Sequence, residues 1–125
     1  TLVNLNEYML QWFLNTLKIN VRVESAGDFN FTGKKSAVVL DMCKQLSAQV
    51  YIFGANGKDY ADVDSFQVNN IRVEFQNYRH PVYRQLYSGF ESHLSIIDLL
   101  FNYGEDSLDI IMDDNIEKSD ILKHL

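Results

Sequence analysis

One cysteine, one proline and six glycines are scattered through 125 residues, and each scarcity excludes something. A single thiol, Cys43, cannot close an intrachain disulfide, so the fold must rest on its hydrophobic core. No Pro/Gly/Ser-rich linker, low-complexity stretch or internal repeat divides the chain. The first residues lack a basic start, an apolar run and a small-residue cleavage site; with the lone cysteine, this leads to an expected cytoplasmic location. Long apolar runs are missing as well. Ile96–Ile97 and Leu99–Leu100–Phe101 are interrupted within a few positions, whereas a bilayer span needs about 20 apolar residues, so no membrane insertion is expected. Basic charge is scarce: 11 Lys and Arg face 17 Asp and Glu, a net charge of −6 that excludes a nucleic-acid backbone or an anionic membrane as main partner. The chain opens at Thr1, directly inside a periodic apolar segment, which leaves open that it is a piece of something longer.

What is present is 46% hydrophobic and regularly patterned, enough for one sizeable core. Asn4 followed by Glu7 resembles a capping box, and Leu5, Met9, Trp12, Phe13 and Leu17 then recur at helical spacing. The β-branched run Ile19-Asn20-Val21-Arg22-Val23 predicts a first strand. A second helix, starting near Gly33 and carrying Val38, Val39, Met42, Cys43 and Leu46, leads into a buried strand over Val50–Phe53. A helical turn around Asp62 to Val68 precedes a third strand over Ile71–Phe75. From Ser92 the pattern is helical, with Leu94, Ile97, Leu100 and Phe101 on one face and a stop at Gly104, then further amphipathic stretches over 105–112 and 116–125. Strands separated by helix-sized segments predict parallel crossovers. The expected architecture is therefore one α/β domain over residues 1–125: a small parallel sheet of three or four strands flanked by helices, with a helical acidic C-terminal part.

Ligands of such sheets sit beyond the strand C-termini. Residues 28–35, 56–60 and 76–83 are thus expected to converge. The stretch from Gly27 to Ser36 is not a phosphate loop of the Walker type, because its glycine spacing is one residue too long and Lys34 precedes Lys35 instead of Ser or Thr. Lys34 and Lys35 in the first turn of a helix either attract an anion or are ordinary solvated charges. In the loop after the second strand, Gly54 and Gly57 permit close backbone approach, and Lys58, Asp59 and Tyr60 set a cation, an acid and a phenol side by side; the alternative is a plain turn. The nine residues from Asn77 to Gln85 hold Tyr78, Arg79, His80, Pro81, Tyr83 and Arg84. There His80 suits general acid–base work, or is a surface histidine. His93 and His124 lack metal-ligand spacing, and no metal site is expected. Asp98, between Ile97 and Leu99, is either solvated or turned inward toward a partner.

The ordered set Thr32-Gly33-Lys34-Lys35, Tyr51-Ile52-Phe53-Gly54, Gly57-Lys58-Asp59-Tyr60, Ile71 through Tyr83, Phe90 and Leu94 through Gly104 resembles the C-terminal half of the WbqC-like family. The segment Leu94-Ser95-Ile96-Ile97-Asp98-Leu99-Leu100-Phe101-Asn102 is its most specific part. The resemblance implies bacterial surface-polysaccharide biosynthesis, O-antigen or capsule, and transfer of an acyl or aminoacyl unit such as glycine to an amino sugar. The matching polar residues are Lys58, Asp59, Tyr60, Gln76, His80, Tyr83, Gln85, Ser95, Asp98 and Asn102. Family members open with a strand and a Gln-Pro and Tyr-Pro-Trp loop that this sequence does not contain, so a site shared between halves is expected to be incomplete here.

On this basis His80 is expected to be the general base and Asp98 to orient it. Lys34, Lys35 and Lys58 are expected to hold phosphates of an activated sugar or acyl donor, and Gly54, Gly57, Asp59, Tyr60, Tyr83, Gln85, Ser95 and Asn102 to line the ligand. No particular cofactor is indicated. Two further readings stand beside this one: a nucleotide-dependent activating domain, and a non-catalytic interaction module. The second follows from the first helix, apolar nearly all round, and implies a homodimer or docking on an N-terminal half.

Overall fold

A computed structural model describes residues 1–123. The backbone falls into two compact units. Val23–Tyr78 forms one, the sheet unit; Thr1–Arg22 together with the chain from Arg79 forms the other, the helical unit.

The sheet unit grows from alternating helical and strand periodicities. Helix α2 (Ser36–Gln45) carries a stripe of apolar residues in which Cys43 is buried, β1 (Val50–Phe53) follows, then α3 (Val63–Val68) and β2 (Arg72–Phe75). The strands pair in parallel, with Val50 opposite Arg72 and Phe53 opposite Phe75. The α3 crossover makes this pairing possible, because parallel neighbours need a long connection. Asp62 caps α3 by accepting from the Ser65 amide at 3.3 Å. Its core is Cys43, Phe53, Phe66 and Ile71, with Val39, Leu40, Tyr51, Val73 and Phe75 packed around them. Phe53 is the hub, with ring centroids 4.7 Å from Tyr51, 5.5 Å from Phe66 and 5.7 Å from Phe75. Such aromatic pairs add about 0.5–1.5 kcal/mol each beyond their burial.

The sheet has two strands, β1 and β2, not the expected three or four. The run Ile19–Val23 is irregular, and Val21 and Val23 are exposed. Alternating β-branched residues make a strand only when a ladder partner accepts them. Here the run straddles the boundary between the two units. Its first residue is used otherwise, since the Ile19 amide turns back to Leu14 O at 2.8 Å to close the preceding helix.

In the helical unit, α1 spans Leu2–Thr16 and is capped by Thr1 rather than by Asn4, since the Thr1 hydroxyl accepts from the Asn4 amide. The remaining helices are α4 (Ile96–Tyr103), α5 (Ser107–Met112) and α6 (Lys118–Leu122). Ser95 caps α4, so His93 lies before the helix, in a left-handed conformation at φ 61. Leu99 is the buried residue of α4, whereas Phe101, grouped by spacing on one face with Leu94, Ile97 and Leu100, is 89% exposed. No helix among the described residues is long and apolar enough to cross a membrane. His124 lies outside the described residues.

Three helices end alike. After α1, α2 and α3 the chain passes through a left-handed non-glycine residue, Lys18, Ser47 and Asn70 respectively. In each case the next amide reaches back five residues: Ile19 to Leu14, Ala48 to Cys43 and Ile71 to Phe66, at 2.8–2.9 Å. This is a Schellman ending, whose usual marker is glycine. Its hydrophobic contact is visible in Ile71, which is buried directly after the turn.

Candidate functional site

In the sheet unit, Lys34 and Lys35 precede α2 instead of sitting in its first turn, because Gly33 (φ 97) and Lys35 (φ 52) are both left-handed and delay the helix to Ser36. Both lysines are exposed. Asp41 of α2 reaches back over this turn and accepts from the Thr32 amide at 2.7 Å and its hydroxyl at 3.2 Å. The amide bond, above all, holds the Asp41 carboxyl below the usual carboxylate range.

The loop after β1 is a 3₁₀ turn over Ala55–Asp59. Gly57 is buried, and a Cβ there would overlap Phe53, lying 2.9 Å from its Cγ. At Gly54 a Cβ would meet nothing within 4 Å. Close approach in this loop therefore serves Phe53 at Gly57. Lys58 Nζ stands 5.7 Å from the centre of the Phe75 ring, and Tyr60 lies edge-on to Phe53. Lys58, Asp59 and Tyr60 are exposed. Burial raises the Cys43 thiol pKa above its ordinary value.

In the helical unit the carboxylate of Asp98 gathers the polar residues. Its Oδ2 accepts from Tyr83 Oη at 2.8 Å and from Gln85 Nε2 at 3.1 Å. Asn102, one turn on, donates to the Asp98 carbonyl at 2.8 Å and lies 3.4 Å from Oδ1. Asp98 is thus turned inward and half-buried. Four residues singled out from the sequence, Tyr83, Gln85, Asp98 and Asn102, come together here. Ser95 serves as the α4 cap, accepting from the Ile97 amide at 3.3 Å.

Gln85 does more than meet Asp98. Its carboxamide donates to Glu91 O and accepts from the Glu91 amide, both at 2.9 Å, and so pins the two ends of the loop that carries Tyr87 and Phe90. Asn115 does the same for Arg79, accepting from its amide and donating to its carbonyl, both at 2.9 Å. The Asn115 clamp was not legible in the sequence, because it joins residues 36 apart and no spacing announces it.

The His80 ring lies 4.7 Å from His93 and 6.0 Å from Phe90, centroid to centroid; Tyr83 meets the same Phe90 ring at 5.5 Å. His80 Nδ1 is 2.8 Å from Pro81 O, and Nε2 accepts from the His93 amide at 3.0 Å. These partners define the neutral tautomer with the proton on Nδ1 and the lone pair on Nε2. The His80–Pro81 bond is trans. His93, Glu91 and Phe90 are site residues that spacing alone did not single out for these contacts.

Cavities open in this unit. One, of about 730 Å³, is lined by Arg79, His80, Arg84, Asp109 and Asp113 among others. Another, of about 530 Å³, lies between the 85–91 loop and α4 and is bounded by Asp98 and Asn102. Among the described residues no group of three or more His, Cys, Asp or Glu side chains is arranged to hold a metal ion.

A short parallel β-α-β unit joined in one chain to a helical unit with an internal carboxylate defines a protein of the α/β class. Residues 1–110 match the WbqC-like protein family, and the chain belongs to it. It is 33% identical over 110 residues to "Uncharacterized protein Rv1507c" of Mycobacterium tuberculosis (strain ATCC 25618 / H37Rv), an alignment covering 86% of this chain and 47% of that protein. The chain thus spans about half the length of this curated relative. No solved structure matches.

Proposed function

We propose that this chain contributes the acceptor side of a transferase of bacterial surface-polysaccharide biosynthesis, one that moves an acyl or aminoacyl group onto an amino sugar. The observation that carries the reading is the Tyr83–Gln85–Asp98–Asn102 network, a half-buried carboxylate held at a cavity within the segment that matches the family. In the reaction the amine nitrogen bonds to the acyl carbon, the bond to the donor's leaving group breaks, and the proton lost by nitrogen passes through a bridging water to His80 Nε2, since His80 does not border this cavity and meets its lining residue Phe90. For that uptake Nε2 must release the His93 amide it now accepts from. Asp98 acts as a positioning residue through Tyr83, which shares the Phe90 ring with His80. The test is transfer of labelled glycine from an activated donor to an amino sugar by a full-length family member. His80→Ala is expected to abolish transfer with the fold intact, and unchanged turnover removes His80 from the mechanism.

A second reading is favoured by α1. Leu2, Val3, Leu5, Tyr8, Met9, Leu10 and Trp12 are each 41–71% exposed, and Glu7 is the only charged side chain on the helix. Together they present the kind of contiguous apolar surface that marks an interaction site. This reading places a second copy of the chain on α1. Sedimentation velocity is expected to show a dimer that Leu5→Glu disperses. A monomer at all concentrations overturns it, and a monomer that captures the remaining half of a family member assigns α1 to that half instead.

A further inference from the structure

The cavity between the 85–91 loop and α4 differs in kind from its neighbour. Its charged lining residues are Glu91 and Asp98, and no Lys, Arg or His borders it. Asp98 Oδ2 is engaged by Tyr83 and Gln85, while Oδ1 has only the long 3.4 Å contact with Asn102. Among the described residues Asn102 Oδ1 accepts nothing, since the Asn102 amide is directed back to Asp98. The polar wall therefore offers acceptors and negative charge. It suits a ligand rich in donors and bearing a cation, and it repels phosphate or carboxylate. The rest of the lining is chiefly apolar and aromatic: Phe101, on α4 with Asp98 and Asn102, is 89% exposed, Tyr87 of the 85–91 loop 84% and Leu94 47%. An aromatic face beside a row of acceptors receives a saturated ring whose C–H face is apolar and whose edge carries hydroxyl and ammonium groups. The volume, about 530 Å³, lies in the range of small-molecule sites.

We infer that this cavity is the amino-sugar subsite, with the sugar's ammonium on Asp98 Oδ1, a hydroxyl on Asn102 Oδ1 and its ring face against Phe101 and Tyr87. The inference rests on the transferase reading for its substrate class and adds the place, the orientation and two residues, Tyr87 and Phe101, that carry no part of the proposed chemistry. Gln85 is a positioning residue here, since its clamp on Glu91 fixes the loop that carries Tyr87.

The test is a titration of the isotopically labelled 125-residue chain with glucosamine and, separately, with glucose, followed by amide shifts. Glucosamine is expected to move the amides of residues 86–91 and 98–102 and to bind about tenfold more tightly than glucose, the difference one charge-assisted bond makes. Asp98→Asn is expected to erase that preference. Phe101→Ala, at a side chain too exposed to unfold the protein, is expected to weaken both sugars. Equal binding of the two sugars, insensitivity to Phe101→Ala, shifts confined to other residues, or no shifts at tens of millimolar each overturn the subsite. Binding here by a full-length family member that transfers nothing to the bound sugar overturns the transferase reading and leaves the subsite standing.

Discussion

The single cysteine and the single tryptophan sit in different units and report opposite environments. Cys43 is 3% exposed in the core of the sheet unit, whereas Trp12 is 49% exposed on α1 of the helical unit. The sheet unit is organised by packing: Phe53, Phe66, Cys43 and Ile71 form one buried cluster, and the polar pair on β2, Arg72 and Glu74, bond each other. The helical unit buries little apolar surface, with Leu99 its only buried hydrophobic residue among those described, and is organised by hydrogen bonds around Asp98, Gln85 and Asn115. A packed region tolerates polar change at its edge and volume change nowhere. A hydrogen-bonded region depends on partner geometry and leaves apolar side chains available for other surfaces.

The sharpest way to break this contrast is at Phe66, which is fully buried. Phe66→Ala is expected to cost about 3–5 kcal/mol in urea unfolding; a loss below about 1 kcal/mol contradicts a packing-dominated sheet unit. Next comes the glycine pair. Gly57→Ala forces a methyl into Phe53 and is expected to destabilise by about 1–3 kcal/mol, while Gly54→Ala, in open space, stays within about 0.5 kcal/mol. Equal effects at both positions mean the loop does not pack as described. In the helical unit, Asp98→Ala leaves the Tyr83 and Gln85 donors without their acceptor, at a cost of about 1–3 kcal/mol, and Asp98→Asn is expected to recover part of it.

Smaller is the gain from removing left-handed strain. Ser47→Gly keeps the Schellman ending of α2 and is expected to stabilise by about 1 kcal/mol. A loss there means that the serine side chain has a role of its own.

The smallest effect is in pH. The Asp41 carboxyl is held below its ordinary value of 3.8, chiefly by the Thr32 amide. A depressed folded pKa contributes stability that is present above the unfolded value and is lost as pH falls through the folded one. Asp41→Asn is therefore expected to shrink the acid loss of stability below about pH 4. An unchanged acid limb in urea titrations removes Asp41 from that linkage.

By itself the sequence determined what depends on neighbours along the chain. Apolar stripes marked α2 and α4, a continuous apolar run marked β1 and alternation β2, Asp62 announced the start of α3, and Gly104 the end of α4. The family was legible in the ordered motifs, and so was the inward turn of Asp98 as one of two options. Tertiary structure decided whatever needs a partner distant in sequence. Ile19–Val23 has strand composition, but a strand exists only when another chain segment pairs with it, and the sheet stops at two. Gly57 reads as a ligand-loop glycine until Phe53 is seen against it, Gln85 as a ligand residue until its amide is found on Glu91, and Phe101 as one of an apolar face until α4 turns Leu99 inward instead. Local periodicity sets which conformations are cheap, and only the packed chain sets which side of each element meets protein and which is left for something else.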